Sequence, residues 1–335
     1  MGSKNALDGK TILITGGTGQ FGNSFVEYAF THLSLKKIII LSRDEKKQEA
    51  MRERYSAYAE KLRFFIGDVR DLGRLKRAFE GVDYVIHAAA MKDIAACEYN
   101  PQEAVKTNIS GTQNVIEAAL DTHVKKLIAL STDKAVNPIS LYGGVKFLSD
   151  RLIIAANSYS GYGTTMFSVV RYSNVAGSKG SVIPVFRKLI AKGNTELPIT
   201  DFRMTRFWTE PMVGVSMVLH GIEKANGGEI FIAKAPSYKI TDLAEAMLPR
   251  CRMQEVGLRE GEKLSEIMIT KEEAEYAYEY KDFYVVYPFG RGFSKREIIA
   301  GGVKLERGFE YSSNNNTQWL SCERIRELLK TVVEC

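Results

Sequence analysis

Residues Thr11–Gly22 read TILITGGTGQFG, a short β-branched run that stops at a cluster of glycines. An apolar run of this length fits a strand buried on both faces. Gly16, Gly19 and Gly22 follow in G-x-x-G-x-x-G spacing, and Phe21–Thr31 continues with helical periodicity. A turn this tight, approached by a pyrophosphate, needs missing Cβ atoms, and the following helix N-terminus offers N–H groups to the phosphates. Glycine-rich turns are also common punctuation. The strand before and the helix after favour dinucleotide binding, with Gly16, Thr18, Gly19, Gln20, Phe21 and Gly22 as candidates.

Outward from this turn, the same alternation repeats. Strand-like runs stand at Thr11–Thr15, Lys37–Leu41, Leu62–Ile66, Tyr84–His87, Lys126–Leu130 and Phe167–Arg171. Helix-like stretches separate them at Phe21–Thr31, Glu45–Ala59, Leu72–Phe79, Pro101–Asp121 and Tyr142–Tyr159. Strands apolar on both faces, each followed by a helix, predict an α/β fold with a doubly wound, Rossmann-type parallel sheet. After Tyr172 the rhythm changes. Helices are expected near Val182–Lys192, Val213–Ala225, Thr241–Leu248 and Cys322–Val333, and strands near Glu196–Ile199 and Glu229–Ala233. Residues 1–172 thus read as a cofactor domain and 173–335 as a smaller mixed α/β substrate-binding lobe, some of whose segments return to the first domain.

The end of the second strand bears on the cofactor. An acidic residue there binds a ribose 2′-hydroxyl, whereas basic residues suit a 2′-phosphate. Ser42 and Arg43 precede Asp44, and Lys47 follows, so Arg43 and Lys47 point to NADP. Solvated charges at a helix start are the plain alternative. Asp68 and Val69 after the third strand, and Ala88 and Ala89 after the fourth, are further cofactor candidates. His87 closes a buried strand and has no metal-spaced partner, so it reads as structural. No metal site is written in the chain.

Chemistry enters at Ser131-Thr132-Asp133-Lys134, followed by Tyr142-Gly143-Gly144-Val145-Lys146. Tyr142 and Lys146 lie four apart and share a helix face. An ammonium beside a phenol favours phenolate, which makes tyrosine a usable base. Glycine turn, strand spacing and this pair together resemble the short-chain dehydrogenase/reductase superfamily, in its extended, nucleotide-sugar-modifying branch. The compact string STDKAVNPISLYGGVK (Ser131–Lys146) is similar to that of the inverting UDP-N-acetylglucosamine 4,6-dehydratases, which act towards pseudaminic acid and related surface sugars. So are Phe64–Asp71, Tyr84–Lys92, Glu98–Pro101, Phe167–Pro184, Leu197–Trp208, Gly227–Ala244, Gly257–Ile269 and Glu310–Leu320.

The resemblance implies a mechanism. Tyr142 takes the C4 hydroxyl proton while NADP accepts hydride, and Thr132 orients that hydroxyl. Lys134, as general base, removes the C5 proton, and Asp133 protonates the leaving C6 hydroxyl. Lysine is a base only when its pKa is depressed. Lys92, Asn174, Lys179, Arg206, Arg259 and Glu262 are expected around the UDP-sugar, because guanidinium groups grip phosphate oxygens. The chain departs from the family pattern at Asp93, where a histidine is usual, at Thr209–Met212, in Ser173–Lys179, and at Tyr238. A UDP-hexose 4-epimerase is the nearest alternative, and a non-catalytic NADP-binding regulator is one from another class.

Composition narrows the partners. Among 335 residues, 45% are hydrophobic and 26% charged, with 46 Lys plus Arg against 40 Asp plus Glu, a net +6. These values suit a globular protein, and the scattered excess shows no nucleic-acid stripe. No apolar segment is long enough to span a membrane. The start lacks a signal-like run, and Met1-Gly2-Ser3 lacks the Ser or Thr at position 6 that myristoylation wants. Four cysteines without a CxxC pair suit a reducing compartment. The expectation is a cytoplasmic homo-oligomer acting on a UDP-sugar, with no nucleic-acid or membrane partner.

Overall fold

The computed structural model describes residues 6–161, 165–178, 180–289 and 298–332. Six parallel strands, β1 (Thr11–Thr15), β2 (Lys37–Ser42), β3 (Leu62–Ile66), β4 (Tyr84–His87), β5 (Lys126–Thr132) and β6 (Met166–Tyr172), lie in the order β3-β2-β1-β4-β5-β6. Every residue of β1 and β4 is buried, as strands covered by helices on both faces must be. The helices are α1 (Gln20–His32), α2 (Glu45–Arg54), α3 (Leu72–Phe79), α4 (Ile94–Tyr99), α5 (Pro101–Val105), α6 (Gly111–Asp121) and α7 (Leu141–Ala156). Two cores flank the sheet, one containing Leu13, Val85, Val115 and Ile153, the other Ile14, Phe25, Ile86 and Val218. This is the Rossmann-type arrangement expected from the alternating runs.

Polar residues at helix starts set where each helix begins. Asp44, Asp71, Asp93 and Ser140 each accept a backbone N–H from the first turn of α2, α3, α4 and α7. The stretch expected as one helix, Pro101–Asp121, widens to a π-type turn over Lys106–Ser110. There the carbonyl of Asn108 accepts the Thr112 and Ser149 hydroxyls. Its side-chain amide grips Met91 through both backbone groups, at 2.8 and 2.9 Å. The widened turn therefore anchors the segment after β4, next to the cleft described below.

The second half completes the sheet. Strand Ile230–Ala233 pairs in parallel with β6, and Phe283–Val286, Ala277–Glu279 and Val303–Lys304 follow it antiparallel, giving ten strands. The last three of these were not expected from the sequence. Elsewhere, Glu196–Ile199, Thr205–Phe207 and Ile267–Ile269 each belong to a two-stranded pair. A separate core of Phe186, Leu197, Trp208, Tyr238, Leu243 and Ile325 lies beside them. Among the described residues, no helix is long and apolar enough to cross a membrane.

Candidate active site

A cleft of ≈ 810 Å³ opens at the carboxyl ends of the parallel strands, where such sheets bind ligands. Its lining brings together the glycine turn, Ser42, Arg43, Lys47, Asp68, Val69, Ala88, Ala89, Lys92, Thr132, Tyr142, Lys146 and Asn174. Gly16 has φ +67°, and a Cβ there would stand 2.8 Å from the Ala89 backbone. A Cβ on Gly22 would stand 1.9 Å from the Gly17 carbonyl oxygen, so α1 can pack this close only at glycine. No side chain caps α1, which leaves its first N–H groups facing the cleft. The buried amide nitrogen of Gln20 also lacks a partner. This cradle fits a dinucleotide pyrophosphate.

At the ribose end, the charges hold one another. Arg43 lies 3.6 Å from Asp68, Lys47 lies 3.4 Å from Asp44, and Arg70 forks onto Asp68 at 2.7 and 3.0 Å. Burial would raise the Asp68 carboxyl, but Arg70 and Arg43 outweigh it and hold its pKa below the usual value. His87 sits between the hydroxyls of Thr15 and Thr112, at 2.8 and 3.2 Å. Burial, helped by the charge of Lys146, pushes its pKa down to about 3, so it is a neutral structural histidine.

The turn after β5 carries the densest chemistry. Asp133 is fully buried and accepts from Thr132 at 2.9 Å, from Lys134 at 3.1 Å, and from the Ser173 hydroxyl. Lys134 Nζ also donates to Asn174 at 3.0 Å and to Glu266 at 3.2 Å. Burial alone would raise Asp133, yet the Lys134 charge and the three donors keep it low. Burial alone would lower Lys134, yet Asp133 and Glu266 keep it high. The resting pair is a carboxylate and an ammonium, the reverse of the acid and base expected from the sequence.

Tyr142 and Lys146 share the cleft-facing side of α7, but the lysine does not tune the phenol as expected. Lys146 Nζ donates to the Leu130 carbonyl at 2.7 Å, and burial lowers its pKa. Burial and the charge of Asp133 push Tyr142 well above the ordinary phenol value, and a hydrogen bond with Thr132 opposes them.

The substrate candidates separate. Lys92 and Asn174 line the cleft, whereas Arg259 stands on an exposed loop away from its lining. Arg206 donates to the carbonyls of Thr205, Lys263 and Leu264 and pairs with Glu262 at 3.6 Å, so both act here as internal ties of that loop. Lys179 lies outside the described residues. Asp93, which stands in place of a family histidine, is the cap of α4, accepting from Ala96 at 2.8 Å. Ser173 and Glu266 were missed. Ser173 was legible only as part of a family string, and Glu266 reaches Lys134 across 132 positions, which no spacing signals.

The family described as polysaccharide biosynthesis protein matches residues 12–288. The inverting UDP-N-acetylglucosamine 4,6-dehydratase of Campylobacter jejuni subsp. jejuni (strain 81-176) is 50% identical over 96% of this chain and 98% of its own. The UDP-glucose 4-epimerase of Rickettsia rickettsii (strain Sheila Smith) is 41% identical over 96% of each. Pen from Bacillus thuringiensis, in its X-ray structure, superposes with a TM-score of 0.87 at 36% identity, covering 97% of this chain and 99% of that one. The matched span contains both the glycine turn and the Asp133–Lys134 turn, and the chain belongs to the polysaccharide biosynthesis protein family.

Proposed function

We propose that this protein is an NADP-dependent UDP-N-acetylglucosamine 4,6-dehydratase that inverts C5, giving a UDP-2-acetamido-2,6-dideoxy-hexos-4-ulose. The observation that carries this reading is the Asp133–Lys134 pair, 3.1 Å apart and hydrogen-bonded directly to Thr132 and Asn174 of the cleft lining. A dehydratase needs such a pair to take a proton from C5 and deliver one to the C6 oxygen; a 4-epimerase does not. The 50% identity to a protein named for that reaction, against 41% to one named an epimerase, supports the same choice.

The nicotinamide, when bound, supplies a hydride acceptor and donor. The glycine turn and α1 hold its pyrophosphate, and the exposed side chains of Arg43 and Lys47 suit the 2′-phosphate of NADP. Tyr142 receives the C4 hydroxyl proton, and Thr132 orients that hydroxyl. Lys134 takes the C5 proton, and Asp133 passes a proton to the departing C6 oxygen. Lys92 and Asn174 hold the sugar, and residues from 173 onward receive the nucleotide, with Arg259 and Lys179 as candidate cationic partners. The product suits surface-sugar synthesis of the pseudaminic acid type.

Incubation with NADP and UDP-N-acetylglucosamine is expected to give a product lighter by one water. A product of unchanged mass with inverted C4 makes the protein an epimerase. No turnover, with NADP still bound, favours the non-catalytic reading.

A further inference from the structure

The resting cluster poses a chemical difficulty for this reaction. Lys134 must shed a proton before it can take one from C5, and Asp133 already accepts from three donors. Glu266 is different. Its side chain is buried, its Oε1 is 3.2 Å from Lys134 Nζ, and its Oε2 has no hydrogen-bond partner. Its backbone is pinned on both sides by Ser313, whose Oγ accepts the Glu266 N–H at 3.0 Å and whose N–H donates to the Glu266 carbonyl at 2.8 Å. The following strand, Ile267–Ile269, is tied to β6 because Arg171 donates to the Met268 carbonyl at 2.8 Å and pairs with Glu273. A glutamate held this firmly, with one bare carboxylate oxygen, has its free acceptor site inside the protein.

We propose that Glu266 is the positioning residue that accepts the resting proton of Lys134 and returns it at the end of each turnover. This rests on the dehydratase reading. The transfer converts ammonium and carboxylate into amine and carboxylic acid, so the pair has no net charge before or after. Lys134 then takes the C5 proton and passes it through Asp133 to the C6 oxygen, which leaves as water. Glu266 gives its proton back to Lys134, and the cluster is restored. C5 is reprotonated from solvent on its other face, and the C4 hydroxyl proton leaves through Tyr142, so protons balance. The charged and titratable groups around the pair are Asp133, Arg206, Glu262, Lys263, Tyr142 and Tyr238.

An internal transfer without net charge makes elimination insensitive to pH, which the variants test. Wild type is expected to show a flat rate of water loss between about pH 6.5 and 8.5. Glu266→Gln keeps a carbonyl oxygen near Nζ but takes no proton, so Lys134 must release its proton to solvent. Its rate is expected to fall at least about tenfold at neutral pH and to rise with pH. Reduced cofactor, followed by its absorbance, then builds up on mixing with substrate, because oxidation at C4 does not use Glu266. Glu266→Asp retains a carboxylate and is expected to keep the flat profile at a lower rate. NADP titration establishes that each variant is folded, and the Asp variant carries the test if the Gln variant is not. A Glu266→Gln enzyme as fast as wild type, one slowed equally at every pH, or an Asp variant with a sloping profile overturns the proposal. Wild type that loses no water overturns the dehydratase reading itself.

Discussion

At residue scale, burial decides what each titratable group can do. His87 stays neutral because its pKa is held near about 3 in the folded chain, against 6.5 for the free side chain. Between those values the unfolded chain binds the proton and the folded chain does not. Its contribution is therefore full above pH 6.5 and is lost as pH falls towards 3. From pH 6.5 down to about 5 this amounts to about 2 kcal/mol. His87→Gln, measured by urea unfolding at both pH values, is expected to lose about that much of the wild-type pH dependence. An unchanged slope would show that His87 does not stay neutral in the fold. The same logic explains why spacing could place Tyr142 above Lys146 but not tune it. A lysine four residues along finds whichever acceptor is nearest, and here that is the Leu130 carbonyl.

At the scale of elements, the turn after β5 and the start of α7 are packed as one unit. A Cβ on Gly143 would stand 2.4 Å from the Lys134 carbonyl oxygen and 3.0 Å from the Pro138 Cβ. Gly143→Ala must push the Asp133–Lys134 turn away from α7. Elimination is expected to slow at least about tenfold, while NADP, held mainly by the distant glycine turn, still binds. A variant with wild-type turnover would mean that this turn tolerates displacement. The glycine turn and β1–β6 were legible because their signals are local: all-apolar runs, helical periodicity and glycine spacing. The strands at Ala277–Glu279, Phe283–Val286 and Val303–Lys304 were not, because each has two to four residues and is specified by its sheet neighbours. Arg206 misled for a related reason. Its sequence context suggests an anion grip, but three backbone carbonyls occupy the guanidinium.

For the whole molecule, the ten-stranded sheet runs from the cofactor half into the second half, and the cleft lies over its parallel part. Glu266, far along the chain, is fixed near the turn after β5 by Ser313 on its own backbone and by Arg171 of β6, which holds the strand that follows it. On the outer side, Val105 on α5 and Phe147 and Leu148 on α7 are exposed apolar side chains. We propose a homo-oligomer with these side chains at its interface. Light scattering is expected to give a mass above one chain, lowered by Phe147→Glu with Leu148→Glu; a single-chain mass for wild type ends that reading. The dehydratase reading turns on chemistry at C5. Its most direct test is NMR of the product made from UDP-N-acetylglucosamine in D2O. One deuterium at C5, a 6-deoxy carbon and inverted C5 configuration are expected. A product with protium at C5 and an intact C6 hydroxyl would contradict it.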